Sequence, residues 1–273
     1  MLSFVPTPIG NLGDITIRSL ERLSSSEIVF CEDTRVSKHL FKLFEERYPQ
    51  FFTQKDRNFI SLHHHNQEKV LAKIDISIFQ QNIVYVSDAG TPAISDPGIE
   101  LINFAIENNV KFDVLPGATA LTVASLLSGF ADRKLLFWGF LPHKGKDREN
   151  ELNSTLASGF TTVIYESPHR ILKLLDELST LEPKREILVA KELTKKFEKR
   201  YRGLADEVAN KIRSENLKGE WIVVLKGIEK RGVSAISKYD IENLKLPPKE
   251  KAKLISKITG ETVKDIYNSL INN

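Results

Sequence analysis

The chain is 273 residues long, enough for two domains of ordinary size and too long for one small core. Hydrophobic residues make up 41% and charged residues 27%, which excludes a disordered chain, and no apolar run approaches the ~20 residues of a membrane-spanning helix. The net charge of +3 does not by itself argue for nucleic acid, yet residues 184–202 hold eight basic against three acidic residues and 230–273 nine against five, so a phosphate-bearing partner stays in view.

The N-terminus, Met1-Leu2-Ser3-Phe4-Val5-Pro6, has no basic stretch ahead of an apolar one, so no secretory leader is expected. Short β-branched and aromatic runs predict strands near 3–6, 27–31, 58–62, 82–87 and 110–115, then near 135–140, 161–166, 186–190 and 220–226. Helical patterns fall between them, at 36–46, 68–79, 98–107, 118–127, 168–178 and 205–214. This alternation predicts an α/β fold with largely parallel sheets and helices on both faces. So many strands suit two α/β domains, 1–116 and 117–229, divided at Pro116-Gly117. Residues 230–273 form a small helical segment. There Pro247-Pro248 breaks the chain before two amphipathic helices around Thr259-Gly260, with Leu254, Ile255 and Ile258 on one and Val263, Ile266, Tyr267 and Leu270 on the other. Simple packing and contact with RNA are both open for this tail.

The chemistry-bearing stretches sit where strands are expected to end. In "PTPIGNLGDIT" (6–16), Gly10 and Gly13 allow close backbone approach, but neither a dinucleotide nor a P-loop spacing is present. Asp14 capping the helix of "ITIRSLERL" is the plainer account. "CEDTR" (31–35) packs Glu32, Asp33 and Arg35 beside an apolar strand, either as a helix-start charge pair or as a site that orients a polar substrate. Its Cys31 has no partner for an internal disulfide, which fits a small buried hydrophobe in a reducing cytoplasm. "HHHN" (63–66) points three histidines in different directions, and no metal site is expected.

"SDAGTPAISDPG" (87–98) divides in two. Asp96-Pro97-Gly98 is explained as an N-cap, a first-turn proline and a helix start. Asp88-Ala89-Gly90-Thr91-Pro92 is longer and smaller than a plain turn needs, and is the expected wall of a ligand cleft. "PGATA" (116–120) offers small residues at a helix start, for a planar ligand or for close packing. In "YESPHR" (165–170), Ser167 as N-cap with Pro168 in the first turn accounts for half the motif, and no nucleophile elbow is present. "KELTKKFE" (191–198) and "KGEW" (218–221) complete the second domain, with Trp138 and Trp221 expected in the core.

In order, VPTPIGNLGDIT, CEDTR, VSDAGTPAISDPG, PGATA, GFLPHK, YESPHR, KELTK and KGEW resemble the bacterial ribosomal RNA small-subunit methyltransferase I family. That family belongs to the tetrapyrrole methylase class (class III) of S-adenosylmethionine (SAM) enzymes. The resemblance runs from about residue 5 to residue 227, and the stretch from Leu246 to Leu270 resembles the family's short C-terminal helical extension. His64 and Lys191 stand where the family usually carries glutamate and arginine.

The resemblance implies two α/β domains with SAM in the cleft between them, a homodimer, and 2′-O-methylation of a cytidine ribose in the decoding region of 16S rRNA in the small ribosomal subunit. It implies SAM contacts at Pro8, Asp88, Ala89, Gly90, Ile94, Ala118, Thr119, Ala120, Tyr165, Glu166, Glu192, Leu193 and Gly219. The acceptor side is expected at Asp14, Asp33, Arg35, His169 and Arg170, with Lys144, Lys195 and Lys196 on rRNA phosphates. Asp33, Glu166 and Arg35 are the candidate catalytic residues. Two other readings stay open: a porphyrinoid methylase of the same fold, and a non-catalytic rRNA-binding assembly factor.

Overall fold

Two five-stranded sheets organise the first 228 residues in the computed structural model, which describes residues 1–53, 56–130, 133–228 and 238–271. The first sheet holds β1 (Leu2–Phe4), β2 (Ile28–Cys31), β3 (Asn58–Ser61), β4 (Ile83–Val86) and β5 (Phe112–Val114). Its order is β3-β2-β4-β1-β5 and every pairing is parallel. β1, β2 and β4 are buried at every position, so they are apolar almost throughout rather than alternating. Phe4, Phe30 and Tyr85 face one core, and Val29, Val84 and Val86 face the other. The flanking helices are α1 (Ile17–Ser24), α2 (Thr34–Arg47), α3 (Gln67–Leu71) and α4 (Ile99–Glu107). Because the strands run one way, the loops after β1, β2, β4 and β5 all leave from a single edge.

Several local expectations change here. Thr16, not Asp14, caps α1 by accepting from the Ser19 amide, because Asp14 lies in a 3-10 turn, Leu12–Asp14, capped by Asn11. The helix expected at 68–79 breaks after Leu71; the Asp75 carboxylate accepts from the Ser77 amide and starts a separate 3-10 turn, Ile76–Gln80. At the start of α4, Gly98 occupies the cap position at φ 134 and no side chain caps the helix, so Asp96 is free to point elsewhere.

The chain crosses to the second sheet between Val114 and α5 (Ala120–Ser128), a span that contains the expected division at Pro116-Gly117. The strands are β6 (Leu135–Phe140), β7 (Thr161–Glu166), β8 (Glu186–Lys191), β9 (Lys199–Leu204) and β10 (Trp221–Leu225), in the order β6-β7-β10-β8-β9. Only β6 and β7 pair in parallel; β10 returns antiparallel between β7 and β8, and β9 folds back on β8. The second sheet is therefore mostly antiparallel, against the expectation of largely parallel sheets. β9, KRYRGL, has no apolar run that would mark it, as suits a charged edge strand. The helices on one face are α6 (Gly145–Ala157), α7 (Ile171–Leu181) and α8 (Ala205–Ile212), while α5 and Ile9 cover the other. α6 is polar along most of its length and turns only Arg148, Leu152, Thr155 and Leu156 inward. α7 begins at Ile171, since the carbonyl of Ser167 takes the Arg170 and Ile171 amides in a turn and Ser167 caps nothing.

The remaining helices, α9 (Lys238–Glu242), α10 (Pro248–Thr259) and α11 (Val263–Ile271), form a compact unit of their own. Pro248 opens α10 and Gly260 closes it in the left-handed region at φ 76. Ile241, Ala252, Ile255 and Ile266 make its core, whereas Leu254 and Ile258, expected to share the buried face of Ile255, are exposed. The expected boundary at residues 229 and 230 lies outside the described residues. No helix among the described residues is long and apolar enough to cross a membrane.

Candidate active site

The β-register explains how distant stretches meet. Trp221 at the start of β10 is opposite Glu166 at the end of β7 and Lys191 at the end of β8, so three loops of the second sheet share one edge. That edge faces the loop edge of the first sheet across a cavity of about 450 Å³. Ile9, Glu32, the 88–91 and 94–96 stretches, Thr119, Ala120, Phe140, the 165–168 stretch, Leu193 and the 220–222 stretch line it.

The wall after β4 is held by main-chain geometry. Thr7 and Gly90 exchange amide–carbonyl hydrogen bonds of 2.9 and 3.1 Å, and the Thr91 hydroxyl donates to the carbonyl of Ala118 at 3.0 Å. Gly90 sits at φ 81 and a Cβ there would come within 3.1 Å of Ile9. Ala93, Glu192 and Thr194 also take left-handed backbone, at φ 64, 53 and 63, and all three belong to loops of this cleft. Such strain persists only where surrounding structure enforces it. The loops of the two sheets also touch directly: the Asn11 amide donates to the Thr194 hydroxyl at 3.2 Å.

On the second edge, the Tyr165 hydroxyl accepts from the Leu121 amide at 3.0 Å and so fixes the start of α5. Its ring meets Phe137 and Phe140 edge-on, with centroids 5.0 and 5.7 Å away. Glu166 is 2% exposed. Its carboxylate takes Arg170 Nε at 2.7 Å, Arg148 Nη1 at 3.5 Å and the Ser167 amide at 2.8 Å. Arg148 in turn forks onto Glu177 at 2.8–3.0 Å. Glu192 bends back to accept the Glu220 amide at 2.9 Å and Lys195 Nζ at 3.1 Å.

Carboxylates give the cavity its field. Glu32, Asp88, Asp96 and Glu220 all line it, while the charge of Glu166 is matched by two guanidiniums. Burial, then repulsion from Asp88 and Asp96, raises the Glu32 carboxyl above the ordinary range. Burial likewise raises Asp96, with Asp88 adding to the effect and a hydrogen bond from Ser87 opposing it. Asp33 behaves oppositely: the Arg35 side chain and amide lower it to about 2. It caps α2 through the Arg35 amide at 2.8 Å and forks with that guanidinium at 2.7 and 3.2 Å.

Of the residues expected around a cofactor, Asp88, Ala89, Gly90, Ile94, Thr119, Ala120, Tyr165, Glu166 and Leu193 line the cavity. Pro8, Ala118, Glu192 and Gly219 do not line it. Pro8 is buried next to Ile9, Ala118 anchors Thr91, and Gly219 packs on Glu192. Gly219 sits at φ 123, and a Cβ would meet Glu192 Cγ at 2.7 Å. Gly219→Ala is therefore expected to displace Glu192 and weaken cofactor binding by about tenfold, equal to about 1.4 kcal/mol of strain; calorimetry with S-adenosylhomocysteine measures it, and unchanged affinity contradicts it.

The expected acceptor-side residues scatter more. Asp14, Lys144, His169 and Lys196 are exposed, and the Arg35 side chain is 90% exposed. Arg170 is engaged by Glu166 and by the carbonyl of Leu141, and Lys195 by Glu192 and Glu220. Sequence reasoning missed Glu32, Asp96 and Glu220 as wall residues, along with Trp221, which is 3% exposed but lends its edge to the cavity. Glu32 stood within a quoted charge cluster, and Asp96 was assigned to a cap. Glu220 and Trp221 begin a strand, and only the antiparallel return brings them here. Burial pushes the Cys31 thiol up to about 11, as for an inert core cysteine. Among the described residues no group of three metal-ligating side chains converges.

The cavity suits SAM, whose sulfonium and ammonium outweigh its single carboxylate and leave it a net cation. Carboxylates without a salt-bridge partner among the described residues line the cavity and suit a cationic ligand, Gly90 leaves a cradle a side chain would fill, and apolar walls from Ile9, Ile94, Leu193 and Ile222 suit an adenosyl group. The comparisons agree. Residues 1–209 match the tetrapyrrole (corrin/porphyrin) methylase family. The chain is 45% identical over 272 residues, covering 99% of it and 100% of the relative, to the ribosomal RNA small subunit methyltransferase I of Campylobacter fetus subsp. fetus. Its fold is similar to a cobalt precorrin-4 methyltransferase, with TM-score 0.62, 15% identity, and coverage of 82% of this chain and 93% of that one. It is also similar to a uroporphyrin-III C-methyltransferase of Thermus thermophilus solved with S-adenyl homocysteine, with TM-score 0.54, 17% identity, and coverage of 82% and 96%. The chain thus belongs to the tetrapyrrole methylase family and, within it, to the ribosomal RNA small subunit methyltransferase I family.

Proposed function

We propose that this SAM-dependent methyltransferase methylates the 2′-hydroxyl of a cytidine ribose in the decoding region of 16S rRNA. The observation that carries the choice of acceptor is the sign of the cleft. Glu32, Asp88 and Asp96 line it without a cation paired to any of them in a salt bridge among the described residues, a wall that repels a porphyrinoid with its many carboxylates. A ribose is neutral and fits such a site, provided its phosphates stay outside. The exposed Arg35, Lys144 and Lys196 supply cations for them beyond the cavity, and the exposed His169 offers a further polar contact.

Bound in the cleft, SAM supplies an electrophilic methyl carbon on a sulfonium. The protein's own contribution is placement, which for two reactants held in line is worth about 7–11 kcal/mol. Tyr165 fixes the start of α5, the Thr7–Gly90 bridge fixes the wall after β4, and the Asn11–Thr194 contact ties the loop after β1 to the loop after β8. Arg170 and Lys195 act as positioning residues, holding Glu166 and the Glu192–Glu220 pair. Asp33 holds Arg35, and Asp14 is exposed and does not line the cavity, so neither is assigned the proton transfer.

A homodimer belongs to the same reading. Val114 and Leu126, 54% and 71% exposed beside the link between the sheets, offer apolar surface to a second copy, and sedimentation of the purified protein tests it. The cytoplasm, where ribosomal subunits are assembled, is the matching compartment. The test of function is radiolabelled SAM offered with small subunits from a methylase-deficient strain, in parallel with a porphyrinoid. Label on 16S rRNA supports the proposal. Label on the porphyrinoid alone, or RNA binding without any transfer, contradicts it.

A further inference from the structure

The ribose hydroxyl is a weak nucleophile until it loses its proton, and a positioned base is worth about 10²–10⁴-fold. The acids of the cleft differ in what they are free to do. Glu166 is held by Arg148, Arg170 and the Ser167 amide. Glu220 is outermost, its side chain 70% exposed and salt-bridged to Lys195. Asp33 is forked with Arg35 and held at about 2, far too acidic to accept a proton near neutrality. Asp88 takes the Asp33 amide at 3.4 Å, and Asp96 is hydrogen-bonded with Ser87. Glu32 is different. Its main chain is anchored, its carbonyl accepting the Ser61 hydroxyl at 3.0 Å, yet its half-buried carboxylate faces the cavity with no hydrogen-bond donor among the described residues.

We infer that Glu32 is the catalytic base that removes the proton from the ribose 2′-hydroxyl. The inference rests on the rRNA reading above. As the ribose oxygen forms its bond to the methyl carbon, the carbon–sulfur bond breaks and its electron pair stays on sulfur, leaving a neutral thioether. The hydroxyl proton passes to the Glu32 carboxylate, so charge balances: a cationic sulfonium and a carboxylate become a thioether and a carboxylic acid.

The surroundings suit that role. The groups facing Glu32 are Asp33 beside it, Asp88 and Asp96 from the loop after β4, and His64 from the loop after β3. The Tyr85 hydroxyl on β4 feels its charge in turn. Burial and the three aspartates favour the protonated acid and His64 opposes them. The base therefore works only above its raised titration point, and the rate should climb with pH from above the ordinary glutamate value of about 4.3 and then level off.

Glu32→Gln keeps the shape and removes one charge from a crowded group, so the variant should fold; circular dichroism and its melting temperature check this. Calorimetry should show S-adenosylhomocysteine still binding. Single-turnover methylation of small subunits should fall about 10²–10⁴-fold and lose its rising pH limb, with Glu32→Asp recovering part of the rate. Carbon-13 NMR of glutamate-labelled protein should show one carboxyl titrating above the ordinary range, absent in Glu32→Gln. A Glu32→Gln enzyme as fast as wild type, or one that loses cofactor binding together with activity, overturns the assignment. If wild type labels subunits and Glu32→Gln does so equally, only Glu32 is misassigned; if wild type labels none, the rRNA reading falls and takes the proposal with it.

Discussion

Arg148→Met is expected to destabilise the protein by about 3–5 kcal/mol, the usual effect of removing one partner from a buried ion pair. Arg148 is the largest fully buried side chain, and its guanidinium lies between Glu166, Glu177 and the carbonyl of Pro142. Without it Glu166 retains, among the described residues, only Arg170 against its charge, and Glu177 retains Lys173 at 4.0 Å. For a chain of this size each kcal/mol lowers the melting temperature by about 2–4 °C, so thermal unfolding resolves the effect. Because Glu166 lines the cleft, cofactor affinity should fall as well. Arg148→Lys should recover little, since an ammonium cannot fork onto Glu177 while reaching Glu166. A variant with wild-type melting would show that the cluster is not what holds β7 to α6 and α7.

Asp96→Asn is expected to act in opposite directions on stability and on binding. The folded-state Asp96 carboxyl titrates above its unfolded value, chiefly through burial. The stability linked to it is thus fully present below the unfolded pKa and is lost as pH rises through the folded one. At neutral pH the ionised group destabilises the empty protein, and asparagine relieves that, raising the melting temperature. The same change removes a charge facing a cationic ligand. A charge pair 4 Å apart near a protein surface is worth at most about 4 kcal/mol, and solvent access reduces this, so SAM affinity should drop about 10- to 100-fold. In wild type the affinity should likewise fall as pH is lowered through the raised carboxyl of Asp96. A calorimetric pH series with both proteins measures this; equal affinity at pH 7 would remove Asp96 from the site.

The first sheet was legible because a parallel, doubly covered sheet writes each central strand as an apolar run, as in Ile83–Val86, and puts every following loop on one edge. The Asp88–Gly90 wall was legible for that reason. The second sheet was less so. Its β9 carries Lys199, Arg200 and Arg202 and has no hydrophobic period, and α6 buries an arginine where a leucine would have marked it. Asp96 was misassigned because Asp-Pro-Gly suits a helix start by composition. The space for the turn is set instead by Gly98, where a Cβ would lie 2.7 Å from the Tyr85 ring, and by the 2.6 Å hydrogen bond from the Tyr85 hydroxyl to the carbonyl of Pro97. Glu220 needed the strand order, because a residue preceding a strand reaches the cleft only if that strand runs antiparallel to its neighbours.

A 2′-O-methyl group leaves a chemical signature in RNA. Small subunits from a methylase-deficient strain are labelled by the enzyme with radioactive SAM, and the purified 16S rRNA is hydrolysed with alkali. A 2′-O-methyl group blocks cleavage of the adjacent phosphodiester, so the label is expected in an alkali-resistant dinucleotide beginning with cytidine. Label recovered in a mononucleotide, and therefore on a base, would contradict it.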